Sequence, residues 1–452
     1  MVELSKLLKE AWSNPIKLSD DDAPHVLPME YQTIKRYGKN SFFWFGIYPR
    51  ITIMEPELMR EILNKHEIYH KIKLNTKLLM TGVLFCEGEK WAKLKYYTLP
   101  SMQLSCESMV RKWEEMLSNE ECVELDVWPF IDHMSGESIS RAAFGRSYEE
   151  GVEVFGLQKE QIMHAFDQYR SKLNQIPGWR YLPTKRLKRM KEIHRTVRAL
   201  ILNLIEQRKS KAAEVSNEES NKDLMGLLLE SNAKEAERST GHGISKGLSM
   251  EEVVEEVKLF YLVGQDMTAS SLVWAMIMLS QHQDWQQCAR DEVFKLFGTT
   301  TPHFDGLSRL KIVTMIINEV LRLYPVVASL VRSIDEPTKL KDITLLPGMT
   351  LNLPVIFVHR DPEIWGDNAH EFNPERFSGG SSRIPGSFFP FGGGSRLCIG
   401  QNFAMLELKM ALAMILQRFS FHLSPTYSHA LRVSVSLEPQ FGAHLILRKL
   451  QS

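Results

Sequence analysis

Apolar residues along this chain recur mostly in steps of three and four, the spacing that gathers them on one helical face, and only in short stretches at alternate positions. The first hundred residues predict short helices with a small sheet, because 42–54 sets aromatic and β-branched residues between turn-formers. Residues 184–208 return to the helical period, with Leu200, Ile201, Leu204 and Ile205 on one face and many lysines and arginines elsewhere. Ser, Asn, Glu, Lys and Ala then dominate 209–247, interrupted mainly by the apolar 224–229, which predicts a mobile connection. Immediately afterwards Ser249, Met250, Glu251 and Glu252 have capping-box spacing, and an apolar pattern runs past Ile277 toward Ser280 without proline. At roughly 1.5 Å per residue that is a helix about 45 Å long, enough to cross a whole domain. Further helices are predicted at 284–296, 312–323 and 404–417, with short strands near 350–354 and at the C-terminus. Strands are too few for a doubly wound sheet and no period of 20–50 residues repeats, so the pattern predicts a mainly α, helix-rich α+β fold with 1–452 as one domain.

Composition narrows function more than fold. The 55 Lys and Arg balance 55 Asp and Glu, so no excess charge draws the chain onto nucleic acid. An apolar fraction of 44% and a charged fraction of 24% exclude collagen-like and wholly disordered chains. Cys86, Cys106, Cys122, Cys288 and Cys398 are too scattered for a disulfide scaffold and form no C-x-x-C pair, so reducing cytosol is the expected surrounding. The first residues carry no apolar stretch of anchor length, and the chain as written is expected not to span a membrane.

Chemistry concentrates in Phe391, Gly392, Gly393, Gly394, Ser395, Arg396, Leu397, Cys398, Ile399 and Gly400. Glycines on both sides of a lone cysteine let the backbone approach something large and flat, and the apolar pattern that follows begins a helix. A thiolate there is favoured by the helix dipole and unpaired N–H groups, and a soft anionic sulfur with one open approach suits the axial position of a haem iron. Zinc lacks a second Cys or His at ligand spacing; a phosphate loop lacks both the G-x-G-x-x-G spacing and a following Lys-Ser/Thr pair. Glu319 and Arg322 set opposite charges at i and i+3 on one helical face. His359, Arg360 and Asp361 look like a kinase catalytic loop, but Gly366 stands where Asn is required and no D-F-G follows, so kinase chemistry is set aside.

Phe391, Gly394, Arg396, Cys398 and Gly400 fill the frame F-x-x-G-x-R-x-C-x-G, and in this the chain resembles the cytochrome P-450 haem-thiolate monooxygenases. The resemblance implies haem b with Cys398 as axial metal ligand and Phe391, Gly394 and Gly400 around the cofactor. Phe372, Asn373, Pro374, Glu375, Arg376 and Phe377 resemble the family's second Arg motif, which implies a buried network of Glu319, Arg322 and Arg376 behind the haem. By position, Trp91 and Lys95 fit the W-x-x-x-R helix with Lys in place of Arg, and Arg332 and Arg396 fit the propionate-binding arginines. It implies further that NADPH electrons arrive through a cytochrome P-450 reductase, that O2 is consumed, and that the substrate is a hydrophobic small molecule. Its pocket walls would come from 71–85, the central helix before Met267, and 326–331. The resemblance runs from about Tyr37 to Leu447, and 176–183, 260–266 and 389–391 look like plant members of the secologanin synthase and triterpenoid oxidase group. A terpenoid substrate and the cytosolic face of the endoplasmic reticulum membrane follow as expectations. Lys90, Lys93 and Lys409 are the expected reductase-docking cations, and Trp179, Tyr181, Leu182, Lys185 and Arg186 the expected contact with a membrane surface.

The central helix departs from the family pattern A/G-G-x-D/E-T-T. Val263, Gly264, Gln265, Asp266, Met267 and Thr268 keep the glycine and the acid but put methionine at the first threonine position, and a thioether donates no proton. Thr268 stands one helical step, about 100°, away, which leaves Asp266 as the expected proton relay with Thr268 beside it. Between Lys93 and Leu99 the chain is shortened where related members carry an Arg and an N-P-x-F turn, and the plant members' apolar anchor is missing. These departures define a rival reading, a paralogue that binds haem but is catalytically impaired.

Overall fold

Ser249 opens the longest helix among the described residues. Its hydroxyl accepts the Glu252 N–H at 3.3 Å while the Glu252 carboxylate accepts the Ser249 N–H at 2.7 Å, the reciprocal bonding that the sequence spacing predicts. The computed structural model describes residues 6–7, 15–18, 21–72, 89–118, 120–144, 148–171, 184–214, 225–226, 229, 249–380 and 386–450. Most of the predicted connection 209–247 lies outside them.

The N-terminal elements are α1 (Pro28–Tyr37), β1 (Phe42–Phe45), β2 (Tyr48–Thr52), α2 (Pro56–Asn64) and β3 (Tyr69–Lys71). There follow α3 (Glu89–Met116), β4 (Cys122–Asp126), α4 (Trp128–Phe144), α5 (Tyr148–Arg170), α6 (Lys185–Glu214), the central α7 (Met250–Gln281), α8 (Gln283–Phe297) and α9 (Ile312–Leu323). The C-terminal part holds β5 (Leu330–Ile334), the hairpin β6 (Thr338–Leu340) and β7 (Ile343–Leu345), β8 (Thr350–Leu353) and α10 (Gln401–Arg418). Strands β9 (Phe419–Leu423), β10 (Leu431–Val433), β11 (Leu437–Pro439) and β12 (His444–Lys449) close the chain. Helices dominate, as the periodicity predicts.

The largest sheet runs β1-β2-β8-β5-β3, with β2 and β8 parallel and its other pairs antiparallel. Its last pair sets Lys71 directly opposite Arg332. Helices α4, α9 and α10 pack round α7, and α3 lies across α4 and α10. Every residue from Leu272 to Leu279 is buried, and the Trp274 ring stacks on Tyr324 at 4.2 Å. The Trp274 indole N–H and the Ser270 hydroxyl both donate to the Leu437 carbonyl, at 2.7 and 2.6 Å, and so hold β11 against the helix. By length and composition α7 could cross a membrane, but 83% of its apolar window is buried inside the protein, which makes it a core helix.

Helix α3 continues through Pro100, although proline removes one hydrogen bond of the ladder. The shortened segment thus runs on in one helix with Cys106 and Trp113. Trp91 and Lys95 belong to its first turns, but the side chains of 89–98 lie outside the described residues.

Candidate active site

The cysteine loop is pressed against the end of α2. Gly394 has φ +67, and a Cβ there would stand 2.3 Å from the Leu63 carbonyl oxygen and 2.7 Å from Asn64 Oδ1, so only glycine fits. The loop closes on itself: the Cys398 N–H donates to the Phe391 carbonyl at 3.0 Å, and Phe391 packs against the central core. Helix α10 starts just beyond, with Gly400 as its cap residue. Burial pushes the Cys398 thiol above its ordinary value, opposed by the N–H groups of Gly400 and Gln401 and by the Lys71 charge. The chain alone therefore stabilises the thiolate only in part, and a metal cation on the sulfur would supply the rest.

Lys71 and Arg332 face each other across β3 and β5, an arrangement of like charges that destabilises a strand pair. Arg332 is buried, and among the described residues its Nη1 donates to the Val331 carbonyl alone, at 3.0 Å. No carboxylate among the described residues pairs with Lys71, Arg332 or the exposed Arg396. Burial lowers the pKa of Lys71, and the Arg332 and Arg396 charges lower it further. Three cations that converge near a cysteine without a counter-ion fit a dianionic ligand, and haem brings two carboxylates. The donor set therefore fits haem.

Between Val253 and Ser280 only Leu259, Phe260, Val263, Gly264 and Met267 of α7 keep part of their surface. Their spacing makes one stripe, the face of this helix that the described residues cover least. Gly264 also admits α4, since a Cβ there would lie 2.6 Å from Ile139 Cγ1. Asp266 and Thr268 are buried off the stripe. Asp266 belongs to a cluster round Lys159 of α5, whose Nζ lies 3.6 Å from Asp266, 3.9 Å from Asp132 and 3.9 Å from Glu438. Burial raises the Asp266 carboxyl from 3.8 to about 6, Glu438 adds to the rise, and Lys159 partly offsets it. Such a group exchanges its proton near cellular pH.

Behind the loop, Glu319 and Arg322 are wholly buried and joined by two bonds, Nη2 to Oε1 at 2.7 Å and Nε to Oε2 at 2.8 Å. Arg322 also donates to the carbonyls of His359 at 2.7 Å, Ala369 at 2.6 Å and Glu371 at 3.1 Å. Arg376 Nε stands 3.4 Å from Glu319 Oε1, and its Nη1 donates to the Trp365 carbonyl at 2.8 Å. The structure thus brings Glu319, Arg322 and Arg376 together.

Other expected residues are placed differently. Lys409 is half-buried and reaches the Leu307 carbonyl at 3.4 Å, so it is not the free surface cation that reductase docking requires; the side chains of Lys90 and Lys93 lie outside the described residues. Trp179, Tyr181 and Leu182 also lie outside them, while Arg186 pairs with Asp167 at 3.3 Å. Two groups escaped sequence reasoning. Lys71 shows itself only through its register against Arg332. Glu407 of α10 is wholly buried, with burial pushing its carboxyl up to about 8 beside Ser135 and Ser138, and Ser135 in turn donates to the Gln265 carbonyl at 3.1 Å.

A helix-rich fold that presents one cysteine at a helix start, beside cations that no carboxylate among the described residues pairs with, defines the haem-thiolate class. Comparison with known proteins agrees. The chain belongs to the cytochrome P450 family, whose sequence profile matches residues 12–434. It is 49% identical to Cytochrome P450 CYP72A219 of Panax ginseng, over 99% of this chain and 89% of that protein. It is 43% identical to the 7-deoxyloganic acid hydroxylase of Catharanthus roseus, over 98% of this chain and 88% of that one. The 469 aligned positions with the ginseng protein exceed the 452 residues here, so that relative carries internal residues that this chain lacks. The fold is that of a retinoic acid-bound cyanobacterial CYP120A1, with a TM-score of 0.74, 21% identity and 94% of each chain covered.

Arg332→Met should stabilise the haem-free protein by about 1 kcal/mol, by removing a charge opposite Lys71, and should weaken hemin binding in titration. A loss of haem-free stability would mark Arg332 as a structural cation. Because the Asp266 pKa is raised on folding, the folded chain keeps a proton that the unfolded chain releases; the stability this gives is full below about pH 4 and is lost as pH rises through about 6. Urea midpoints of Asp266→Asn should therefore match the parent near pH 4 and exceed it at pH 7, and equal differences at both would contradict the shift.

Proposed function

We propose that this chain is a haem-thiolate monooxygenase that inserts one oxygen atom from O2 into an apolar, terpenoid substrate, with NADPH electrons delivered by a reductase. The carrying observation is the Cys398 thiol at the start of α10 beside cations that no carboxylate among the described residues pairs with. Haem held there would supply the activation of O2. Cys398 would hold the metal of the group through its sulfur, and Arg332, Arg396 and Lys71 would neutralise its two carboxylates. Phe391 and Gly394 shape the loop, Gly400 lets the sulfur sit at the helix start, and Trp91 and Lys95 serve the same group from α3. Glu319, Arg322 and Arg376 hold the backbone behind the loop.

The open stripe of α7 supplies an apolar wall, with Phe260, Val263 and Met267 excluding water from the substrate. Asp266 is the group that moves protons: buried, near its pKa at cellular pH, and linked to the half-exposed Lys159. Thr268, one helical step from Met267, is the catalytic hydroxyl in this reading. The whole chain acts as one domain, on the cytosolic face of the endoplasmic reticulum membrane, as the resemblance to plant members suggests. Terpenoid specificity rests on that same resemblance.

Met267 favours a second reading, a haem-binding protein with impaired turnover. It lies on the stripe, where a hydroxyl would be needed to pass a proton, and its thioether has none to give. Purified protein reduced under carbon monoxide should show a thiolate-type band that Cys398→Ser abolishes. With reductase, NADPH and a plant terpenoid panel, an oxygenated product supports the first reading, and peroxide release without product supports the second. Met267→Thr is expected to raise the ratio of product to NADPH consumed several-fold; an unchanged ratio would remove the role given to that position.

A further inference from the structure

We propose that His359 is a positioning residue for the Cys398 loop, holding the loop's entering arm through the Phe389 N–H. The proposal rests on Cys398 being the haem ligand. His359 has no exposed surface, and its Nε2 accepts the Phe389 N–H at 2.8 Å. Phe389 in turn accepts the Gly392 N–H at 3.1 Å, and Phe391, two residues on, accepts the Cys398 N–H at 3.0 Å. On its other side the His359 carbonyl takes a hydrogen bond from Arg322 at 2.7 Å. The buried guanidinium, the imidazole and the ligand loop are thus one connected chain of contacts.

The imidazole is suited to accept. Burial pushes its pKa down to about 3, with the Arg322 charge acting the same way, so the ring is neutral at cellular pH. The Phe389 N–H can only donate, so Nε2 must be the unprotonated nitrogen and the ring proton sits on Nδ1. Phe388, at 5.3 Å between ring centres, and Trp365, at 6.5 Å, wall the bond off from water, where a lost acceptor is costly. The neighbours in this His-Arg-Asp triplet do other work: Arg360 donates to the Leu323 carbonyl at 3.0 Å and pairs with Asp22, while Asp361 accepts the Glu363 N–H at 3.1 Å and pairs with Lys39 at 2.5 Å. Only His359 of the three reaches the ligand loop.

His359→Phe keeps a ring but removes the acceptor, His359→Gln restores a carbonyl acceptor, and Val358→Ala perturbs packing at the neighbouring buried position. In the haem-loaded full chain, the ferrous–carbonyl band of His359→Phe should convert from the thiolate type to the neutral-thiol type about tenfold faster than in the parent, the factor that one lost buried hydrogen bond is worth. His359→Gln should recover most of that lifetime, and Val358→Ala should keep the parent's. An unchanged lifetime in His359→Phe, or equal loss in Val358→Ala, overturns the proposal. If the parent itself gives no thiolate-type band, the ligand assignment fails instead, and amide exchange of the haem-free protein decides this tether: faster exchange at Phe389 in His359→Phe supports it and unchanged exchange overturns it.

Discussion

A guanidinium with no exposure to water must find an acceptor for every N–H, and Arg322 does so with the two Glu319 oxygens and the carbonyls of His359, Ala369 and Glu371. All five donors are used. This arrangement fixes the path of the chain from 359 to 373, because those carbonyls must turn inward to meet it. Glu319 then accepts the Asn373 N–H at 2.9 Å, just before the turn that carries Arg376. Such a pair adds little net stability against an apolar substitute, yet removing one partner costs about 3–5 kcal/mol, since a buried charge is left unmatched. Its consequence is geometric: the segment that leads into the cysteine loop has one permitted course.

The ligand site shows the opposite balance. The buried charges behind the loop are matched, whereas beside Cys398 burial pushes the thiol up and the buried Arg332 faces the exposed Lys71, with no acid among the described residues paired to either. A sheet edge built for stability alone would not oppose two cations. The imbalance is relieved by a group that is cationic at the sulfur and anionic at its rim, and haem is both. On α7, by contrast, methionine at 267 keeps the stripe apolar, while the acid one residue before it is buried in the cluster round Lys159.

Periodicity made the helices legible. The capping box at Ser249, the strand-like 42–54 and the helix 312–323 appear where the pattern puts them, because each depends on neighbours within a turn or a hairpin. The cysteine frame was legible for a similar reason: its glycines and helix start are local. What sequence could not supply was pairing between distant segments. The Lys71–Arg332 opposition needs the β3–β5 register, and the Lys159 cluster joins four elements far apart in the chain. The His359 triplet is visible in the sequence, but the bond that gives it a structural role joins it to Phe389, 30 residues on. Lys409 misled because a lysine in an apolar helix pattern gives no sign of the Leu307 carbonyl that it reaches.

The central claim is that the charge pair behind the loop dictates the loop's course. Amide hydrogen exchange in Arg322→Lys tests it most directly, since lysine keeps the charge but has too few donors for the five acceptors. The account predicts faster exchange at Phe389 and Cys398 together with the Asn373 amide, and no change in β12. Faster exchange confined to 369–373, with Phe389 and Cys398 as protected as in the parent, would contradict it.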